Sequence, residues 1–210
     1  MTQAITNFFA SMAIMLPAFL IALTFHEFCH ALTATLLGDP TAKRAGRLTL
    51  NPLAHIDPFG MFFLLLFRIG WAKPVPFNQH NFKYPKLFSI LTAFAGPCSN
   101  IFLALVSFTC MKYFPTHFVS EAIALSFLQI LEALAYINVM LGIFNLLPIP
   151  PLDGSHVIIA FLSEKYPQVV TLLYRYALFI LLFIFMFPPS NRLLTWTIIT
   201  CSEWIKHLVF

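Results

Sequence analysis

Charge is what this chain has least of. Lys and Arg together number 12, Asp and Glu 8, and charged residues make up 10% of the 210, against about 25% in an average soluble domain. With 60% of residues hydrophobic and a mean hydropathy of +0.84, too little polar surface exists to cover a globule. A soluble enzyme is excluded, and a polytopic membrane protein is predicted in its place. The net charge of +4 comes from few residues, and no nucleic-acid partner is expected. Cysteine is as scarce. Cys29, Cys98, Cys110 and Cys201 lie in apolar stretches without paired spacing, which argues against a disulfide framework or a cysteine zinc knuckle. The N-terminus lacks the basic region of a signal peptide, and no internal repeat is visible. There is no room for a second soluble domain of about 90 residues. Residues 1–210 are therefore expected to form one membrane-embedded domain.

What is abundant is apolar. Phenylalanine alone has 25 copies, which suits lipid-facing and bundle-packing surfaces but carries no chemistry. Hydropathy predicts an all-α polytopic bundle with spans over residues 8–37, 87–111, 122–163 (broken at 145–154) and 169–187. Residues 193–209 form either a last span or a helix lying on the surface, since Trp196, Glu203, Trp204 and Lys206 suit an interface. Between the first two spans, residues 41–85 are rich in proline and turn signals. Arg47–Leu50 and Pro74–Phe77 read as short extended pieces, because Pro74 and Pro76 suit only an edge strand. The apolar run Phe59–Ile69 is too short for a comfortable span. If it dips and returns, Lys43, Arg44, Arg47, Lys73, Lys83 and Lys86 share the cytoplasmic side, as the positive-inside tendency favours. Ala95-Gly96-Pro97 is expected to break the second long span at its middle, with Asn100 one turn later pointing inwards.

The chemistry is concentrated at His26-Glu27-Phe28-Cys29-His30. On a helix, positions i and i+4 share a face, so His26 and His30 can hold one metal ion between them. The histidines suit one Zn²⁺, and Glu27 beside them can take a proton from a water on that ion. The surrounding helix is almost wholly apolar, and polar residues there are expensive unless used. His30 lies nine positions before Asp39, roughly 13 Å of helix from that polar end, so the site is expected inside the bilayer but nearer one face. A catalytic zinc takes three protein ligands and one open position. Asp153 is the leading third ligand, because Pro148, Pro150 and Pro151 free it from regular helix. Glu132 is weaker on an apparently regular helix. His156 either ligates or supports the site from beside it, and Cys29 reads as a small buried thiol. Asn145 is either a donor to the oxyanion or a cap at a helix end. Asn138 reads as an interhelical polar contact, Glu132 as either another or a residue near the lipid headgroups, and His55, His80, His117 and His207 as structural. A metal transporter and a catalytically inactive membrane scaffold would also carry polar residues at depth. The first would not need Glu27, and the second would be expected to lack one of the four site residues.

His26-Glu27-x-x-His30, Gly96-Pro97-x-x-Asn100 and Asn145-x-x-Pro148-x-x-Pro151-Leu152-Asp153-Gly154 resemble the site-2 protease family of intramembrane zinc metalloproteases. The segments Asn51–Pro58 and Gly70–Asn78 look like its compact prokaryotic branch. The resemblance implies that His26, His30 and Asp153 bind zinc, that Glu27 is the catalytic base, and that Asn145 holds substrate or oxyanion. It also implies a core of three transmembrane helices with a small membrane-associated β or re-entrant region. The substrates would be transmembrane segments of other proteins in the cell membrane, often regulators released by the cut. Such a substrate must unwind, and Pro74-Val75-Pro76 is expected to pair with the extended peptide. The chain differs from longer relatives in having no PDZ or CBS domain, and no sequence signal speaks to its oligomeric state.

Overall fold

The computed structural model describes residues 2–67, 70–115 and 120–210. The chain opens with α1 (Thr2–Leu36), which carries Pro17 and the His-Glu-x-x-His stretch without interruption. A four-residue turn, α2 (Thr41–Arg44), follows at once. Asp39 staples this corner. Its carboxylate accepts from the backbone and hydroxyl of Thr41, the backbone N–H of Asn78 and the side-chain amide of Asn81. The end of α1 is thereby tied to a segment some 40 residues later.

The apolar run beyond forms α3 (Pro58–Phe67). Ten residues of helix reach roughly 15 Å, half a bilayer core; Ile69, the end of the expected run, lies outside the described residues, as does His117. The expected extended pieces form no strand. Among the described residues, β pairing is reduced to one antiparallel bridge between Ile56 and Ala72. The reason is in the sequence: Pro74 and Pro76 remove every second donor, so no ladder can continue past Lys73.

The two central helices are α4 (Pro85–Lys112) and α5 (Glu121–Asn145). The expected break in α4 is absent, and the helix runs through Pro97. Pro97 removes only the donor that would meet the Ala93 carbonyl, which packing against α1 and α5 outweighs. Past α5, a bend leads into α6 (Ser155–Leu162), then α7 (Pro167–Met186) and α8 (Pro188–Val209). Four helical stretches are long and apolar enough to cross a membrane: Phe8–Leu36, Pro85–Lys112, Glu121–Asn145 and Pro167–Met186.

The bundle is organised on α1, α4 and α5, which pack on one another more extensively than any other elements. Small residues make that closeness possible: Ala18 and Ala22 of α1, Ala104 of α4 and Ala135 of α5 are fully buried within the bundle, as van der Waals packing within a membrane favours. Asn100 and Asn138 join α4 to α5 through a 2.7 Å hydrogen bond. The helix α8 does not lie apart from the bundle. Ile198 and Ile205 pack with Ala104, Phe108, Ala135 and Val139, while Trp196 and Trp204 face outwards.

Candidate metal centre

One turn of α1 brings the two imidazoles together with Nε2 atoms 2.9 Å apart. Each ring is fixed from behind. His26 Nδ1 meets the side-chain oxygen of Asn100 at 2.6 Å, and His30 Nδ1 meets the Thr92 carbonyl at 2.7 Å. Both partners are acceptors, so each Nδ1 carries the proton and donates it, and each Nε2 is left with its lone pair facing inwards. Asn100 can present its oxygen to His26 because its nitrogen is engaged elsewhere, by Asn138 and the Ala22 carbonyl.

Asp153 closes the triangle. Its Oδ2 lies 3.1 Å from His26 Nε2 and 3.3 Å from His30 Nε2, and that oxygen is buried without a hydrogen-bond partner. Chain closure puts it there. Gly154 N–H donates to the Asn145 carbonyl at 2.7 Å, folding residues 145–154 into a compact bend at the end of α5. Gly154 is required at this point, since a Cβ would strike the Leu146 carbonyl and come within 2.7 Å of the Leu147 oxygen. Gly96 has the same importance across the bundle: a Cβ there would lie 2.6 Å from His26 Nε2 and would collide with His30 Nε2.

Three electron-rich atoms converging in a buried place repel one another unless a cation sits among them. The edges of 2.9, 3.1 and 3.3 Å approach the roughly 3.3 Å expected between ligands of a tetrahedral zinc. The group His26, His30 and Asp153 therefore fits Zn²⁺ in donor type, size and charge, and leaves a fourth position open.

Glu27 is buried beside His26, and its Oε2 accepts the backbone N–H of Val75 at 2.9 Å. Val75 therefore turns its donor towards the acid rather than towards a peptide groove. Pro74 and Pro76 are exposed, and among the described residues nothing donates to their carbonyls. Asn145 is not gathered into the triangle; its side-chain nitrogen donates to the Leu141 carbonyl of its own helix. His156 packs its ring on Phe77 at 5.3 Å. Glu132 faces outwards on α5, and Cys29 stays outside the ligand group.

Several participants were not legible. The Thr92 partner is a backbone carbonyl, which no side-chain pattern reveals. Gly96 was visible as part of a break but not as a point of contact between helices. Arg47, counted among the orienting surface cations, is buried instead. Its Nη2 donates to the Lys73 carbonyl and lies 3.4 Å from His55 Nδ1. Burial pulls the Arg47 guanidinium below its usual pKa, while the nearby Glu27 charge works to keep it protonated.

A family model described as Peptidase family M50 matches residues 110–185, the part that supplies Asp153. The chain is similar to YwhC of Bacillus subtilis (strain 168), provisionally named a zinc metalloprotease. They are 37% identical over 177 residues, covering 83% of this chain and 81% of that protein. It is 31% identical over 183 residues to Rip2 of Mycobacterium tuberculosis H37Rv, which bears the same provisional description, covering 84% and 68%. A zinc metalloprotease of Methanocaldococcus jannaschii, MJ0392, is 32% identical over 84 residues, covering 40% of this chain and 23% of that one. No solved structure matches the chain. These names speak of proteolysis, and none of transport or scaffolding.

Proposed function

The chain belongs to peptidase family M50, the intramembrane zinc metalloproteases of the site-2 type, and we propose that a single zinc ion held by His26, His30 and Asp153 works with Glu27 as its general base. The observation that carries this reading is the convergence of two Nε2 lone pairs and an unpartnered carboxylate oxygen on one point, with a buried acid at the next position in sequence. Zinc, when bound, supplies Lewis acidity that makes water a better acid and polarises a carbonyl. Glu27 then takes the proton from the attacking water on a carboxylate oxygen and passes it to the nitrogen of the departing amine. Asn100 and Thr92 hold the imidazoles in register, and His26, Glu27 and His30 are buried.

The chain is a multi-pass membrane protein that acts on membrane proteins. The finer placing is the cell membrane, with the site on the cytoplasmic side of its midplane. Lys43, Arg44, Lys83 and Lys86, gathered where α1 ends and α4 begins, support that orientation. A transmembrane substrate unwinds locally before it is cut, since a helix shields its own peptide bonds. The free carbonyls of Pro74 and Pro76 are suited to accept hydrogen bonds from the extended stretch, and Asn145, by swinging off Leu141, can donate to the developing oxyanion.

The test is co-expression with candidate single-span proteins, comparing the native chain with Glu27→Gln. The substitution should keep zinc and lower cleavage by about 10²–10⁴-fold, so that uncut substrate accumulates. Undiminished cleavage by the Gln form would remove Glu27 from the mechanism.

A further inference from the structure

We propose that Arg47 is a positioning residue for Glu27, acting through the short strap Lys73-Pro74-Val75. The proposal rests on Glu27 being the general base and names what aims it.

Arg47 and His55 are, respectively, 5% and 0% exposed, yet neither touches the metal triangle. Leaving a guanidinium and an imidazole so deeply buried is costly unless each is tied into a network. The network is specific. His55 Nε2–H donates to the Thr49 carbonyl at 2.9 Å, so its Nδ1 is a bare acceptor and faces Arg47 Nη2. The same Nη2 donates to the Lys73 carbonyl. Lys73 N–H in turn donates to the His55 carbonyl at 2.9 Å. Lys73 is thus gripped at both ends of its backbone, its N–H by the His55 carbonyl and its carbonyl by the Arg47 side chain.

Two residues further, Val75 N–H meets Glu27 Oε2 at 2.9 Å. The link between the two grips is stiff. Proline fixes φ near −65°, and a residue preceding proline is confined to extended backbone. Lys73 precedes Pro74, and Val75 precedes Pro76. Fixing the Lys73 peptide therefore fixes the direction of the Val75 N–H, and with it one oxygen of Glu27. Among the described residues Arg47 and Glu27 form no ion pair, so the geometric influence runs through the strap.

The alternative is that Arg47 only holds the loop together. Three measurements on the full chain in phosphatidylethanolamine–phosphatidylglycerol vesicles separate the two. The first is hydrogen exchange at the Val75 amide, which needs no substrate. Arg47→Met should speed it at least tenfold while amides of α1 and α4 keep their protection and zinc content holds. The second is kinetics on a single-span protein recovered from the co-expression screen. Arg47→Met should lower kcat at least tenfold with KM little changed, and Arg47→Lys, which still offers one donor to the Lys73 carbonyl, should recover part of it. The third is coupling: once Val75→Pro has removed the N–H, adding Arg47→Met should cost nothing further.

Losses that multiply in the double variant, or an unchanged Val75 amide in Arg47→Met, would overturn the proposal. If Arg47→Met sheds zinc or fails to fold, Arg47→Lys carries the same exchange and kinetic comparisons, and native values in both would overturn it as well. A fully active Glu27→Gln form would strike the base assignment instead, and leave the Val75 exchange result to judge the strap on its own.

Discussion

The side-chain oxygen of Asn100 on α4 sits 2.6 Å from Nδ1 of His26 on α1. That contact decides which nitrogen of the imidazole is free. Replacing Asn100 by leucine removes the acceptor and strands the side-chain oxygen of Asn138. Zinc affinity should fall about 10–100-fold, measured by competition with a chelator of known affinity, with helix content unchanged by circular dichroism.

Gly96→Ala is the smallest change that should disable the site. The added methyl would lie 2.6 Å from His26 Nε2, and the imidazoles sit on a helix that cannot yield locally. Overpacking of this kind costs about 1–3 kcal/mol, and metal analysis of the purified variant should find almost no zinc. Near-stoichiometric zinc would mean that α1 and α4 separate more readily than their packing indicates.

Gly154→Ala attacks Asp153, the proposed third ligand, from the other side. Its methyl would strike the Leu146 carbonyl, opening the bend that delivers Asp153. The two histidines are untouched, so the expected result is weakened zinc binding and lost cleavage in a chain that still inserts and folds. Protease-protection mapping beside zinc analysis would check both halves.

Asp39 gives a dependence on pH away from the chemistry. Burial alone would raise its carboxyl, but hydrogen bonds from Thr41, Asn81 and Asn78 outweigh that and hold it below the usual carboxylate range. A carboxylate with a depressed folded pKa stabilises the fold above its unfolded value, and loses that contribution as pH falls through the folded one. The native chain should therefore lose thermal stability below about pH 4, measured as Tm in detergent. Asp39→Asn should start about 1–3 kcal/mol lower at neutral pH and show less of that acid-side decline.

The parts of this protein that were legible in its sequence are those that a local pattern can encode. Hydropathy marks α1, α4, α5 and α7 because lipid demands an unbroken apolar stretch, and spacing puts His26 and His30 on one face. Asp153 stood out because an acid among prolines in an apolar setting is conspicuous. Pro97 misled, since its effect on a helix depends on neighbours that sequence does not display. Arg47 misled for a related reason: a cation beside Lys43 and Arg44 looks like a solvated flank until the fold turns it inwards. The Val75–Glu27 bond joins a backbone donor to a side chain 48 residues away, and a pattern of side chains holds no trace of it.

Because the triangle draws on residues 26, 30 and 153, it cannot exist until residue 153 has been made. Translation delivers the N-terminal end first, at about 5–20 residues per second, so α1 waits on the order of ten seconds for its aspartate. A nascent chain that ends short of Asp153 therefore holds an incomplete ligand set, and the site can close only after α5 and the bend behind it have joined α1 and α4.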